Sequence, residues 1–268
     1  GALHEGHLSL VRVIRPQCDH VVLWLFLNPT QFNSKADYDK YPRTLERDAA
    51  LAKEAGVDLV FAPSVEEIYP DGLEAYYEKR SVRTYAGACS WGLCGAKRPG
   101  HFDGVVHIVA VLFNILQPDV AVFGEKDYQQ LRVIEQLVRD MHYHIEIIAA
   151  PLIRAESGIA LSSRNELLQK DSTAPLALSR ALLSARDAAE QGETDAASIR
   201  ELAAGIIRTA GLSIDYVEVT DIHTLAPVAE IRNEAQLLVA AYCGEVRLID
   251  NIRLRTSGYN PSALKTNG

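Results

Sequence analysis

The sequence predicts an α/β fold, a doubly wound parallel sheet followed by a smaller α+β domain. Three observations carry that prediction. Short apolar runs alternate with amphipathic helical stretches as far as residue 150. The first run, Val21-Val22-Leu23-Trp24-Leu25-Phe26-Leu27, is apolar without interruption, as a strand buried on both faces of a parallel sheet must be. Beyond Pro151 helices and strands become segregated, which marks a second domain.

In chain order, Gly1 to His7 reads as a loop that turns into a helix. Val21–Leu27 is a strand, Leu45–Ala55 a helix stopped by Gly56, and Val57–Phe61 the next strand. Tyr69-Pro70-Asp71-Gly72 is a turn. Residues 73–103 follow no single period and read as cover for a site or an interface. Gly104–Leu116 is a mostly buried helix, with Pro118 just past its end. Val120–Phe123 is a short strand, Tyr128–Met141 a helix with its apolar stripe at Leu131, Ile134, Leu137, Val138 and Met141, and His144–Ala149 another strand. In the second part, Thr173–Gln191 and Asp195–Thr209 are Ala-rich helices, and Ile214–Thr220, Gln236–Cys243 and Val246–Asp250 are strands. Ser257-Gly258-Tyr259-Asn260-Pro261 reads as a flexible terminus. The expected domains are residues 1–152 and 153–268. The chain opens inside a loop-to-helix motif with no strand ahead of it, so the expectation is that an upstream first strand has been cut away.

Composition narrows the function classes. The 268 residues are 48% apolar and 23% charged, ordinary for a globular enzyme. A net charge of −8 without Lys/Arg blocks argues against nucleic-acid and anionic-membrane partners. The longest apolar run has seven residues, Val21–Leu27, against the roughly 20 of a membrane helix. Cys18, Cys89, Cys94 and Cys243 fit no zinc spacing and read as free thiols of a reducing cytoplasm.

Four motifs at strand ends or in loops carry chemistry. His4-Glu5-Gly6-His7 puts two imidazoles at a helix start, where unpaired backbone N–H groups and the helix dipole attract anions. Asn28-Pro29-Thr30-Gln31-Phe32 sets amides directly after the buried strand, where they can hold a small polar substrate; an ordinary Asn-Pro turn is the bland reading. Gly124-Glu125-Lys126-Asp127-Tyr128-Gln129-Gln130 combines a close-approach glycine with a lysine for phosphate. Asp127 with Gln130 also has the spacing of a capping box, yet Gln130 lies on the apolar stripe and is expected to point into a cleft above the sheet. Leu161-Ser162-Ser163-Arg164-Asn165 offers hydroxyls and a guanidinium for polyphosphate, with Ser163 and Glu166 again at capping-box spacing.

Together, in this order and spacing, the four motifs resemble the pantothenate synthetase (pantoate–β-alanine ligase) family. Tyr41-Pro42-Arg43-Thr44, Tyr69-Pro70-Asp71-Gly72 and Arg98-Pro99-Gly100-His101-Phe102 resemble it too, and the likeness runs over nearly the whole chain. The resemblance implies a Rossmann-like nucleotidyltransferase domain of the H-x-G-H type, with Leu161-Ser162-Ser163-Arg164 in place of a K-M-S-K-S loop. Leu161 stands where many members have Met. The implied reaction is ATP-dependent: pantoate is adenylated with loss of pyrophosphate, and β-alanine then displaces AMP. ATP and Mg2+, a cytoplasmic homodimer and a second domain serving as lid or dimer support are expected with it; because the intermediate hydrolyses readily, loop 154–165 or the second domain as a lid is expected to close over the site.

By the same resemblance His7 is the proton donor, with His4, Lys126 and Arg164 as further catalytic groups. The ATP site runs over Gly1, Ala2, Leu3, His4, Glu5, Gly6, His7, Gly124, Glu125, Lys126, Asp127, Ile153, Leu161, Ser162, Ser163 and Arg164. Gln31 and Gln130 hold pantoate, with Asn28 nearby. No side-chain cluster for a metal is expected, the Mg2+ being carried by ATP. The rival readings are another H-x-G-H nucleotidyltransferase, an inactive truncated member of the family, and a metal-binding or structural module using His4, His7, His101 and His107.

Overall fold

The structure, a computed structural model, describes residues 2–32, 35–79, 82–169 and 172–259. It divides into two compact units, Gly1–Ile153 with Leu161–Ser163, and Arg154–Ala160 with Arg164–Gly268. Among the described residues no helix is long and apolar enough to cross a membrane.

In the first unit α1 (Glu5–Ile14) leads to β1 (Val22–Trp24), α2 (Lys35–Lys40), α3 (Leu45–Glu54) and β2 (Leu59–Phe61). The short helices α4 (Val65–Ile68), α5 (Gly72–Glu78) and α6 (Leu93–Lys97) follow, then the long α7 (His101–Leu116). Next come β3 (Val120–Gly124), α8 (Tyr128–Asp140) and β4 (Glu146–Ala150). All strand pairing in this unit is parallel, with helices between the strands, which is the Rossmann-like pattern expected. The strands form two ladders, β1 with β2 in register Val22↔Leu59 and β3 with β4 in register Val120↔Glu146. Hydrophobic packing joins α1 to the second pair: Val11 and Ile14 cluster with Val21, Val120, Val122 and Ile148.

Several sequence boundaries need correction. The strand expected over Val21–Leu27 spans only Val22–Trp24 and is not buried on both faces, since Val22 is 42% exposed. Past Trp24 only one further rung is made, Leu25 N–H to the Phe61 carbonyl. β2 is likewise three residues long, with Leu59 exposed. α7 starts three residues before Gly104, because Gly100 takes the left-handed turn at φ +75° that launches it. It ends at the left-handed Gln117, one residue before Pro118.

In the second unit α9 (Leu176–Glu190) and α10 (Ala196–Thr209) pack on a three-stranded antiparallel sheet of β5 (Ser213–Thr220), β6 (Glu234–Cys243) and β7 (Val246–Arg255). Ala177, Ala181, Ala185 and Ala189 recur every fourth residue of α9, all fully buried. Their small side chains let the helix lie close to α10 and the sheet. β7 runs five residues past the expected Asp250, paired to β6 as far as Arg255 with Glu234. Within this unit Arg154 makes a two-pronged bond to buried Asp250, 2.7 and 2.9 Å, which anchors segment 154–160 to β7. Of the expected terminus, Ser257–Tyr259 are described, with Tyr259 N–H bonded to the Thr256 carbonyl, whereas Asn260 and Pro261 lie outside the described residues.

Candidate active site

The opening motif builds its own geometry. His4 is the N-cap of α1 and its Nδ1 accepts the Gly6 N–H at 3.1 Å. The His4 N–H in turn meets His7 Nδ1 at 3.3 Å. This is a capping box with imidazoles in the roles usually taken by Ser/Thr and Glu. Gly6 is dictated by it: a Cβ there would fall 2.9 Å from the His4 ring and would expel the imidazole from the cap. Because both rings accept at Nδ1, each neutral ring carries its proton on Nε2. The rings stack at 3.9 Å between centroids.

Burial lowers the His7 pKa to about 4, helped by the neighbouring His4 and by Lys126, with Asp127 opposing. At neutral pH His7 is therefore an uncharged Nε2–H hydrogen-bond donor. Lys126 and Asp127 are thus near enough for their charges to be felt at His7.

An acid titration follows. Unfolded His7 protonates near pH 6.5 and the folded residue near 4, so the unfolded chain takes up the proton first as pH falls. Folding stability from this group is whole above pH 6.5 and declines as pH drops through 4, by up to about 3 kcal/mol. His7→Gln is expected to lose visibly less stability than the wild type between pH 7 and pH 4.5 in urea denaturation. Parallel losses would contradict a half-buried, neutral His7.

The loop ahead of α1 is held from α3. Asp48, fully buried, accepts the backbone N–H groups of Ala2 and Leu3 at 2.8 Å each, and the Thr44 hydroxyl at 3.1 Å. Ala2 sits in the left-handed region at φ +57°, a conformation that needs such support in a non-glycine residue. Gly1, placed in the ATP site by the resemblance, lies outside the described residues.

The amide motifs meet in one cavity of about 130 Å3, lined by Asn28, Gln31 and Gln130 and walled by Trp24, Phe26, Val109, Phe123 and Ile134. Gln130 reaches it from the first turn of α8 as expected. The capping box for which Asp127 and Gln130 have the spacing, the bland alternative, is not formed: Asp127 makes no side-chain cap bond and stands 3.5 Å from Lys126 Nζ. The adjacent Gln129 is spent on structure: it bonds the Cys94 N–H and the Cys89 and Gly92 carbonyls, each at 2.9 Å. Asn28 borders the cavity but is largely committed. Its Oδ1 accepts from Tyr69 Oη at 2.7 Å and Thr30 Oγ1 at 3.1 Å, and its Nδ2 donates to the Gly104 carbonyl at 3.1 Å. Gly104 permits that approach, for a Cβ would stand 2.7 Å from the Thr30 carbonyl oxygen.

Gly124 has an ordinary φ of −79° and room for a Cβ beside Leu10, so the protein's own backbone does not require a glycine there. The Ile153 carbonyl accepts the Leu161 N–H at 3.0 Å, and the Leu161 Cβ lies 3.4 Å from the Cβ position at Gly6, so Ile153 and Leu161 come beside the opening motif. Ser163 opens a short turn, Ser163–Leu167, and its hydroxyl meets Tyr41 Oη at 3.2 Å. Ser162 belongs to the first unit with it, and Arg164 to the second. Glu5 pairs with Arg12 on the outer side of α1.

The four histidines of the rival metal reading do not gather. His101 lies against the Gln31 carbonyl and buried His107 between the Tyr69 and Tyr76 rings. Among the described residues no group of three or more His, Cys, Asp or Glu side chains could hold a metal ion. Asp48, Tyr69, Arg98 and Gly104 had no site role in the sequence reading, His101 had one only as a ligand of the rival metal reading, and all five help to hold the site residues in place. Asp48, Tyr69, Arg98 and His101 stand in or just beyond motifs noted there, but each acts through another residue's backbone or amide.

A sequence profile described as pantoate-beta-alanine ligase matches residues 1–253. Pantothenate synthetase of Acetivibrio thermocellus is 46% identical over 254 residues, covering 94% of this chain and 88% of that one. The Moorella thermoacetica pantothenate synthetase is 47% identical, covering 96% and 89%. Among solved structures, Thermus thermophilus pantothenate synthetase aligns with a TM-score of 0.87 at 43% identity, covering 94% of this chain and 90% of that one. A Francisella tularensis pantoate-beta-alanine ligase, complexed with beta-gamma ATP and beta-alanine, aligns with a TM-score of 0.71 at 32% identity, covering 94% and 86%.

Proposed function

The chain belongs to the pantoate-beta-alanine ligase family, and from that premise we propose how its residues divide the ligation of pantoate and β-alanine at the expense of ATP. The observation that carries this reading is the pairing of Gln31 and Gln130 on an apolar-walled cavity, in the unit where His7 stacks on His4 and feels the charge of Lys126.

A carboxylate is a poor acyl donor because oxide would have to leave. The pantoate carboxylate therefore attacks the α-phosphorus of ATP, forming an acyl-adenylate and releasing pyrophosphate. Nucleophile and phosphates are all anionic, so the protein's task is to place donors and positive charge. His4 and His7 direct Nε2–H groups at the α-phosphate. No proton has to move in this half-reaction, and a neutral imidazole donor suffices there; the proton-donor role that the resemblance gives to His7 rests on the same Nε2–H. Lys126 supplies a point charge, Ser162 and Ser163 add hydroxyls, and Arg164, next in the chain, offers a two-pronged guanidinium. Ala2, Leu3, Glu5, Gly6, Gly124, Glu125, Asp127, Ile153 and Leu161 complete the nucleotide site by resemblance, and Mg2+ arrives on the phosphates as part of the substrate.

In the second half-reaction the uncharged amine of β-alanine attacks the acyl carbon. The C–N bond forms, AMP leaves with the electron pair of the C–O bond, and the amine gives up one proton. The adenylate must be kept from water meanwhile, and loop 154–165 or the second domain takes the part of a lid in this reading. A cytoplasmic homodimer belongs to it too, on the strength of the family resemblance.

Gln130→Ala tests the division of labour. It is expected to raise the pantoate KM by roughly tenfold, one lost hydrogen bond to a carboxylate, and to leave the ATP KM nearly unchanged. Equal increases for both substrates would remove Gln130 from the acid site.

A further inference from the structure

Gln31 lines the cavity and is gripped by its main chain. Its carbonyl oxygen accepts from Arg98 Nη2 at 3.0 Å and faces His101 Nδ1 at 3.0 Å. Arg98 Nη1 stands 3.2 Å from His101 Nε2. These three contacts have one consistent protonation. A guanidinium only donates, so Nε2 accepts from it and the imidazole proton sits on Nδ1, aimed at the carbonyl. The triangle holds one peptide oxygen between two donors, with His101 neutral. At the other end of the same turn, Asn28 is fastened to Tyr69 and Gly104. The Phe32 N–H, on the same peptide as the Gln31 carbonyl, is held by the Pro29 carbonyl at 3.2 Å, so this peptide is fixed at both ends and with it the backbone from which the Gln31 side chain departs.

We propose that Arg98 and His101 are positioning residues for recognition of the acid, acting on it only through the Gln31 carbonyl. This rests on the reading of the cavity as the acid site. Its signature is specific to one ring atom. In His101→Asn the amide nitrogen falls close to where Nδ1 was and keeps the bond to Gln31. In His101→Gln the amide reaches the Nε2 position, keeps Arg98 and loses Gln31. A residue that merely fills space would not separate these two.

The experiment measures pantoate binding by calorimetry and pantoate-dependent pyrophosphate release in wild type, His101→Ala, His101→Asn, His101→Gln, Gln31→Ala and the Gln31→Ala/His101→Ala double variant, with Tm as the check on folding. His101→Ala and His101→Gln are expected to raise the pantoate Kd and KM roughly tenfold, and His101→Asn no more than about threefold. The ATP KM stays within about twofold throughout. In the Gln31→Ala background His101→Ala adds no further increase, because the amide it positions is gone. Equal damage from Asn and Gln, or additive effects in the double variant, overturns the proposal while pantoate binding by the wild type upholds the site. A wild type that neither binds pantoate nor turns it over overturns both.

Discussion

His7→Ala is expected to lower the rate of pantoate-dependent pyrophosphate release by about two to three orders of magnitude, the scale set by removal of one preorganised donor from a developing anion. The residue is half-buried, neutral and fixed in one tautomer by the His4 N–H, so its Nε2–H is in place before nucleotide arrives. Little reorganisation is then needed at the moment of reaction, which is what makes such a donor effective. The substitution removes one 3.3 Å contact from the helix cap, a stability cost of about 1 kcal/mol at most. ATP binding falls less than turnover, since Lys126 remains. Single-turnover pyrophosphate release is the measurement, and a near-normal rate would remove His7 from the chemistry.

Asp48→Ala carries the second large effect, on stability and activity together. The carboxylate is fully buried and answers two backbone N–H groups and a hydroxyl. Its removal strands both N–H groups of the loop that delivers His4, at about 1–3 kcal/mol each. The left-handed Ala2 loses its hold as well. A fall of at least about 3 kcal/mol in unfolding free energy is expected, together with a loss of turnover larger than the loss of ATP affinity. Asp48→Asn lies between, because its amide can accept one N–H but turns an NH2 toward the other. Wild-type stability and turnover in Asp48→Ala would show that the loop is held by other means.

Residues that announce chemistry by type were legible in the sequence. The two imidazoles at a helix start stack on each other, and the glutamines beside apolar runs line one cavity. Asp48, Tyr69, Arg98 and His101 were not legible in that way, because they answer backbone or amide groups far away in the chain, such as Gln31 from Arg98 and Ala2 from Asp48. The Asp127–Gln130 spacing suited a cap, but the place of Gln130 on the apolar stripe of its helix already pointed to the cleft, and it lines the cavity. The apolar run to Leu27 promised a longer strand than it forms, since apolar character sets burial and only partner backbone sets strand length. The longer helices α3, α7, α8, α9 and α10 were placed to within three residues, as their 3.6-residue stripes and Gly or Pro stops are written locally, whereas the short α2, α4, α5 and α6 carry too few turns to show a stripe and were not marked.

The central claim is that one chain adenylates pantoate and passes it to β-alanine. AMP formation from ATP and Mg2+, measured with each of the two co-substrates withheld in turn, tests it most directly. Sustained AMP and amide formation only when pantoate and β-alanine are both present, with pyrophosphate release already when pantoate alone is supplied, is the predicted result. AMP release indifferent to pantoate, or a product that retains the nucleotide, would contradict it.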